Sequence, residues 1–347
     1  MFSLQTGNFT LDLLANVLIF IIGTAVLIKG SDWFVEVAAK LARRWGVSEI
    51  VIGLTLVSIG TSLPELASSV YAAFRGQGDF IIGNIVGSNI TNISLILAIG
   101  IIAARKIPFE RKMLTRDGVF MLIVYLFCAL LVILQIRFPL MTQPASKRGI
   151  DYRGGIALLV LACIYLWVLF RQKKDHREET TQDGSPPKGN AWKDLGLFVL
   201  AFVMISAGAK GMVDPTVWGA QKLGISMLVI SSTIVAFGTS VPELAVTLAG
   251  IIKKRHSIAL GNIIGSNIFN ILMIFGVTAI ITPLPLDTGG IGLLNLILMG
   301  VTGLLLVLFM LAGKTILTAK QGIVLLLFYL AFVYCNYRAA FDANFLR

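Results

Sequence analysis

The chain has 347 residues, of which 56% are hydrophobic and only 14% are charged, and its mean hydropathy is +0.87. Soluble domains carry about 25% charged residues, so this composition excludes an ordinary soluble protein and predicts a polytopic membrane protein. The net charge of +11 could indicate a nucleic-acid partner. The basic residues are spread over short loops between apolar segments, as membrane topology requires, so we expect no nucleic acid.

Apolar segments of about 20 residues can cross a bilayer, and the chain holds about ten of them. The predicted spans occupy roughly residues 12–31, 48–74, 79–103, 118–137, 154–171, 194–213, 226–252, 257–281, 291–312 and 320–337. A hydrophilic segment, 172–193, separates five spans in residues 1–171 from five in residues 194–347. We therefore expect an all-α polytopic membrane protein built from two five-helix repeats with a cytoplasmic linker.

The distribution of Lys and Arg predicts the orientation of the chain. The loops after spans one, three, five, seven and nine carry 19 of the 29 basic residues, the opposite side carries 9, and Lys29 lies within span one. By the positive-inside rule the richer side is cytoplasmic, which places both termini outside the inner (plasma) membrane. The loop 137–153, with four basic residues on the outer side, argues against this orientation.

Two copies of one motif interrupt apolar segments: Gly60–Leu66 (GTSLPEL) and Gly238–Leu244 (GTSVPEL). Glycine and proline break the helical hydrogen-bond ladder, so we expect spans two and seven to be broken helices. A glutamate at membrane depth is costly and usually functional. Carboxylate, hydroxyl and freed carbonyl oxygens are ligands that suit Ca²⁺ or Na⁺. The motifs thus predict an intramembrane cation site, although a proline kink with capping hydroxyls is the simpler alternative.

A second motif follows each break: Gly83–Asn92 (GNIVGSNITN) and Gly261–Asn270 (GNIIGSNIFN). Its Asn84, Ser88 and Asn92 recur every four residues, so they project along one line of a helix. Such a polar line is typical of a cation-binding site and also of hydrogen bonding between helices, and the sequence alone leaves both alternatives.

One constant offset of 178 residues relates the two copies of both motifs. Since each half holds an odd number of spans, equivalent spans cross the membrane in opposite directions, which predicts an inverted repeat. Among the 18 acidic residues, only Glu65 and Glu243 fall in the middle of a span. We expect them to approach each other at the midplane, where they would either retain a proton or hold a cation between them.

These paired motifs resemble those of the sodium/calcium exchangers of the cation/Ca²⁺ antiporter superfamily, in a prokaryotic form. The resemblance covers the whole chain and implies that Glu65 and Glu243 bind Ca²⁺ together with the carbonyls of Thr61 and Thr239. It further implies sodium sites at Ser62, Ser88, Ser240 and Ser266. The backbone carbonyls of Ser58 and Ala236 would add ligands, and the amides of Asn92 and Asn270 would flank the middle of the cluster.

One residue departs from the family pattern. Many relatives have an aspartate at the position of Asn270, so this chain keeps two carboxylates rather than three. The resemblance associates that acid with K⁺ co-transport, which its absence disfavours. The number of Na⁺ ions exchanged for each Ca²⁺ stays open.

The function that the resemblance implies is secondary antiport of Na⁺ against Ca²⁺, with Ca²⁺ extruded as spans one and six slide over the other eight. A Ca²⁺/H⁺ exchanger on the same fold is the main alternative, although proton-coupled relatives typically have Asn-Ala-x-Glu-like breaks. Channels usually build pores from symmetric rings of residues, whereas a single-chain inverted repeat with broken helices favours alternating access. The sequence contains no nucleophile–base pair and no HExxH motif that would indicate an enzyme. We expect no permanently bound cofactor and no obligate protein partner, only the transported ions and the lipid bilayer.

The three cysteines, Cys128, Cys163 and Cys335, lie in apolar spans and share no metal-type spacing. We expect them to be small buried hydrophobic residues rather than ligands or disulfide partners.

Overall fold

The structure, a computed structural model, describes residues 8–45, 47–76, 78–137, 149–171, 191–222, 236–285, 291–313 and 315–345. Most of the predicted linker, residues 172–190, falls outside these ranges. So do residues 223–235, which include the start of predicted span seven.

Helices make up nearly all of the described chain. Those of the first half are α1 (Phe9–Trp45), α2 (Glu49–Ile52), α3 (Ser58–Thr61), α4 (Leu63–Phe74), α5 (Gly78–Thr91), α6 (Ala98–Ala104), α7 (Val119–Arg137) and α8 (Tyr152–Arg171). Those of the second half are α9 (Ala191–Lys222), α10 (Ala236–Thr239), α11 (Val241–Ile252), α12 (His256–Phe269), α13 (Gly276–Ile281), α14 (Ile291–Ala312) and α15 (Ala319–Phe345).

Wider π-helical turns continue several of these helices. They are π1 (Gly53–Val57), π2 (Asn92–Leu97), π3 (Met113–Gly118) and π4 (Asn270–Phe275). Four short strands join loops in antiparallel pairs: β1 (Lys106–Pro108) with β4 (Ile316–Thr318), and β2 (Gly149–Ile150) with β3 (Leu284–Pro285).

The described helices confirm a polytopic helical membrane protein. Eight are long and apolar enough to cross a bilayer, and the bent pair Glu49–Thr61 and Leu63–Phe74 raises the number to nine. The seventh of the ten predicted spans is described only from Ala236 onward, and its α11 is a shorter apolar helix. The inverted arrangement of the two halves stays a prediction.

Two compact units divide the chain, and each draws on both halves of the sequence. The first contains Met1–Pro64 and Lys173–Asn262, and the second contains Glu65–Gln172 and Ile263–Arg347. The predicted repeats, residues 1–171 and 194–347, were defined by sequence similarity between the two halves, whereas these units are defined by compactness. The units therefore do not test the division into repeats, which stays a prediction.

The first unit is built on the close pairing of α1 with α9. Gly23 and Gly208 lie where the two backbones nearly touch, since a Cβ on Gly208 would come within 2.5 Å of the Leu27 nitrogen and 2.7 Å of the Gly23 carbonyl. Small residues allow membrane helices to approach in this way. Further along the pair, the rings of Phe34 and Phe198 lie 4.2 Å apart.

The second unit has α5 and the helical segment from Ile263 through π4 to α13 in its interior. Their apolar side chains are almost fully buried, and examples are Ile85, Ile90 and Ile274 at 0% exposure. Gly155 of α8 packs against the backbone of Gly276, where an added Cβ would lie 2.7 Å from the carbonyl oxygen.

The predicted break in span two is confirmed at Ser62. Ser62 separates α3 from α4 with φ −86° and ψ 6°, and the helix axis bends there by 47°. Pro64 explains the break, because it has no N–H to donate to the carbonyl of Gly60 and its ring would clash with that carbonyl. In span seven, Ser240 precedes Pro242 with φ −91° and ψ 5°, so the repeated sequence adopts the same local conformation.

The outward faces of the helices are apolar, as a lipid-facing surface requires. Leu126 is 70% exposed, for example. Cys128 is buried as expected, but the prediction of burial is wrong for Cys163 and Cys335, which are exposed. An apolar span predicts contact with either protein or lipid, and only packing decides between them.

Candidate cation-binding site

Glu243 is a buried acid of the first unit and lies near the start of α11. Its side chain is 1% exposed, and its Oε1 accepts a hydrogen bond from the Ser62 hydroxyl at 2.9 Å. Among the described residues, its buried Oε2 has no hydrogen-bond partner and no basic group lies within ion-pair distance of the carboxyl group. A buried carboxylate with so little compensation is unfavourable unless a cation or a proton neutralises it.

Thr61 presents a second oxygen beside this carboxyl group. Asn262 donates from Nδ2 to the Thr247 hydroxyl at 3.1 Å and to the Glu243 carbonyl at 3.5 Å. Its Oδ1 therefore faces Thr61, which donates its hydroxyl hydrogen to that oxygen at 3.0 Å. Since Thr61 acts as the donor, the lone pairs of its hydroxyl are left for a cation.

The same amide–hydroxyl contact occurs in the other copy of the motif. Asn84 donates to the Ser69 hydroxyl at 3.2 Å, and both residues lie 178 positions before Asn262 and Thr247. The sequence places Asn84 on the polar line, but it does not distinguish Asn84 or Asn262 from the candidate ligands. Their place in the repeated Gly-Asn motif was the available signal, but it did not reveal that they orient hydroxyl groups.

The second unit contains five of the predicted ligands. Four have a buried side-chain oxygen without a hydrogen-bond partner among the described residues, and these are Ser88, Asn92, Ser266 and Asn270. The fifth, Glu65, is 1% exposed. Unpaired buried oxygens are unfavourable in a dry protein, and a bound cation would satisfy them. The predicted meeting of Glu65 and Glu243 around one ion stays a prediction.

Asn92 and Asn270 each begin a π-helical turn, in π2 and π4 respectively. Such turns shift the hydrogen-bond register of a helix and occur frequently at functional sites. The shared position of the two turns, 178 residues apart, extends the repetition from sequence to backbone conformation.

The remaining predicted residues lie around the breaks. The carbonyl of Ser58 accepts a hydrogen bond from the Ser62 N–H at 3.0 Å, so it keeps its helical partner. It also lies 3.3 Å from the Thr61 hydroxyl, whose single hydrogen is donated to Asn262 at the shorter distance of 3.0 Å. Ser240 is buried, and Thr239 is half-buried. Ala236 is the first residue of α10, and its side chain lies outside the described set.

The other buried acids have structural explanations. Asp117 pairs with the Arg116 guanidinium at 2.6 Å. Asp151 accepts hydrogen bonds from the Arg153 and Gly154 N–H groups at the start of α8, as a capping residue does. Asp12 lies in the first turn of α1, where the helix dipole favours a negative charge.

The available ligands are hard oxygen atoms. In the described part of the chain, no group of three or more His, Cys, Asp or Glu side chains is placed to hold a metal ion. Hydroxyl, amide and carboxylate oxygens suit Ca²⁺ and Na⁺ rather than softer transition metals.

Comparison with known proteins gives the same family as the motifs. A family model described as "Sodium/calcium exchanger protein" matches residues 15–171 and 193–338. The sodium/calcium exchanger MaX1 of Methanosarcina acetivorans is 34% identical, over 92% of this chain and 97% of that protein. The putative antiporter CaxA of Alkalimonas amylolytica is 35% identical, over 93% and 98%.

Two further relatives bear on location and fold. The inner membrane protein YrbG of Escherichia coli is 34% identical, over 79% of this chain and 82% of that protein. A solved structure of the sodium-calcium exchanger NCX_Mj, soaked with Na⁺ and Ca²⁺, matches with a TM-score of 0.76 at 32% identity, over 92% of this chain and 97% of that chain. The resemblance inferred from the motifs is thereby confirmed, and this membrane antiporter belongs to the sodium/calcium exchanger family.

Proposed function

We propose that this protein exchanges Na⁺ for Ca²⁺ by alternating access and extrudes Ca²⁺ from the cell. The observation that carries the proposal is the Glu243 carboxyl group, buried among hydroxyl and amide groups with an unpaired oxygen and no basic partner among the described residues. The relatives named as sodium/calcium exchangers support the choice of ions.

The ligands that we propose combine the two breaks with the two polar lines. They are the side chains or carbonyls of Ser58, Thr61, Ser62, Glu65, Ser88, Asn92, Ala236, Thr239, Ser240, Glu243, Ser266 and Asn270. Hydroxyl and amide oxygens are neutral, so Glu65 and Glu243 supply the negative charge that balances the bound cations.

Membrane potential would drive extrusion. With the cell interior negative, each net positive charge that enters contributes about 2.3 kcal/mol per 100 mV. We propose the orientation predicted from the basic loops, with both termini outside and the hydrophilic segment 172–193 in the cytoplasm.

Transport into proteoliposomes distinguishes Na⁺ from H⁺ coupling. We expect vesicles loaded with Na⁺ to take up ⁴⁵Ca²⁺ at fixed pH, because an outward Na⁺ gradient would drive exchange. Vesicles loaded with K⁺ or with acid, and lacking Na⁺, should stay near background. Uptake driven by the pH gradient without Na⁺ would instead establish the Ca²⁺/H⁺ alternative.

Ser62→Ala should weaken cation binding, because it removes the hydroxyl that contacts the Glu243 carboxyl group at 2.9 Å. Hydrogen bonds to charged groups contribute about 1.5–3 kcal/mol, so we expect the KM for Ca²⁺ to rise roughly tenfold or more. Ser31→Ala is the matched control, since Ser31 is also buried in the first unit but, among the described residues, its hydroxyl bonds to the Ile28 carbonyl and not to an acid. Equal KM values for the two variants would contradict the assignment of Ser62.

A further inference from the structure

We propose that Asn89 is a positioning residue that holds the Asn270 side chain so that its oxygen, and not its NH₂ group, is left to bind a transported cation. The inference rests on the proposed function, because it assumes that Asn270 is a cation ligand. It adds a residue that lies one position beyond the ligand candidate Ser88 and contacts Asn270 directly.

A short chain of buried hydrogen bonds connects the two side chains within the second unit. Asn270 donates from Nδ2 to the Asn89 Oδ1 at 2.9 Å. Asn89 in turn donates from Nδ2 to the backbone carbonyl of Asn267 at 3.2 Å. The Asn89 Nδ2 also lies 3.6 Å from the Met299 sulfur, which is a weak acceptor.

The direction of this chain follows from its last acceptor. The two ends of an amide side chain have the same shape, so hydrogen bonding decides which end faces which neighbour. A backbone carbonyl and a thioether can only accept, so the NH₂ group of Asn89 must face Asn267 and Met299. The oxygen of Asn89 then faces Asn270, and Asn270 can donate a hydrogen bond to that oxygen only from its own NH₂ group.

The consequence is a defined free end on Asn270. Its Oδ1 is buried and has no hydrogen-bond partner among the described residues. If Asn270 were turned over, two amide oxygens would face each other, and the end left for the ion would carry hydrogens that repel a cation. Asn89 therefore selects the orientation in which Asn270 can act as a ligand.

The identity of residue 270 makes this selection necessary. A carboxylate has oxygen at both ends and presents one whichever way it turns. An asparagine presents oxygen in only one of its two orientations, so Asn270 depends on a neighbour that accepts its NH₂ group.

Other members of the network have a different role. Tyr125 donates to the Asn267 Oδ1 at 2.7 Å, and Asn267 donates from Nδ2 to the Ile263 carbonyl at 2.7 Å. These bonds hold the side chain of Asn267, whereas Asn89 donates to the backbone carbonyl of Asn267. Because the Tyr125 hydroxyl also interacts with the Asn89 side chain, Tyr125→Phe is not a neutral control. Thr302→Val is the control instead, since it removes a buried hydroxyl of the second unit that donates to the Leu298 carbonyl of its own helix.

Calorimetric titration of Na⁺ and Ca²⁺ into the purified full-length protein tests the proposal. In the wild-type background we expect Asn89→Leu to weaken the affinity for at least one of these ions roughly tenfold, because an oxygen ligand is no longer held in place. In the Asn270→Asp background the same substitution should cause no loss, because either end of the aspartate offers oxygen. Thr302→Val should stay within about twofold of the wild type, since the Thr302 hydroxyl bonds within its own helix and not to the Asn89–Asn270 pair.

Two results would overturn the role of Asn89: unchanged affinity for both ions in Asn89→Leu, or an equal loss in both backgrounds, which a general packing defect would produce. Asn89→Ala replaces Asn89→Leu in the comparison if the leucine variant does not purify as a monodisperse protein. A wild-type protein that binds neither ion would instead refute the proposed function, so the two failures are distinguishable.

Discussion

Glu243→Gln is expected to abolish Ca²⁺ transport while leaving the protein folded. The amide has nearly the same shape and can still accept the Ser62 hydrogen bond, but it removes the negative charge. Two unit charges about 4 Å apart attract by about 4 kcal/mol at an effective dielectric constant of 20, so we expect at least a 100-fold loss of Ca²⁺ flux or affinity. The sequence repeat predicts the same result for Glu65→Gln.

Proteoliposome flux and thermal unfolding together check this expectation. Added Ca²⁺ should raise the melting temperature of the wild type and leave that of Glu243→Gln unchanged, because only the wild type binds the ion. Glu36→Gln is the control, since Glu36 is an exposed acid on α1 and its loss should leave the flux intact. Full Ca²⁺ flux in the Glu243→Gln variant would show that Glu243 is not a ligand.

Gly208→Ala should disrupt the pairing of α1 with α9. The added Cβ would lie 2.5 Å from the Leu27 nitrogen, 2.7 Å from the Gly23 carbonyl and 2.8 Å from the Leu27 Cα. These are backbone atoms, so a whole helix must shift rather than a single side chain. Overpacking of this kind costs roughly 1–3 kcal/mol or more, and the pair is expected to separate before its helices unwind.

Gly196→Ala is the matched control for Gly208→Ala. It places the same methyl group on the same helix, α9, at a position where nothing among the described residues lies within 4 Å. Alanine favours a helix over glycine, so this variant should be as stable as the wild type or more stable by up to about 1 kcal/mol. Equal melting temperatures of the two purified variants would mean that the contact at Gly208 is not tight.

The broken helices could be predicted because their cause is local. Proline lacks an N–H group wherever it occurs, so Pro64 and Pro242 interrupt the ladder in any fold that keeps these segments helical. The structure shows the interruption at Ser62 and at Ser240 with nearly identical backbone angles. Oxygen-rich residues beside each break then indicated a cation site for the same local reason.

The positioning residues could not be predicted in this way. Asn262 and Asn89 lie in the same polar motif as the candidate ligands, and their residue type does not separate an orienting role from a binding role. Contacts with Thr61 and with Asn270, at 3.0 and 2.9 Å, assign that role. The sequence also did not predict that Cys163 and Cys335 are exposed, because hydrophobicity alone does not distinguish contact with lipid from contact with protein.

The amino-acid sequence by itself determined the membrane-spanning character, the breaks at Pro64 and Pro242 and the kind of atoms available to a cation, because hydrophobicity and backbone chemistry act within one segment. Only the tertiary structure decided how closely α1 approaches α9 at Gly23 and Gly208, and which end of each buried amide faces its neighbour. Those features depend on contacts between residues far apart in the chain, such as Asn89 and Asn270, and no local property specifies them.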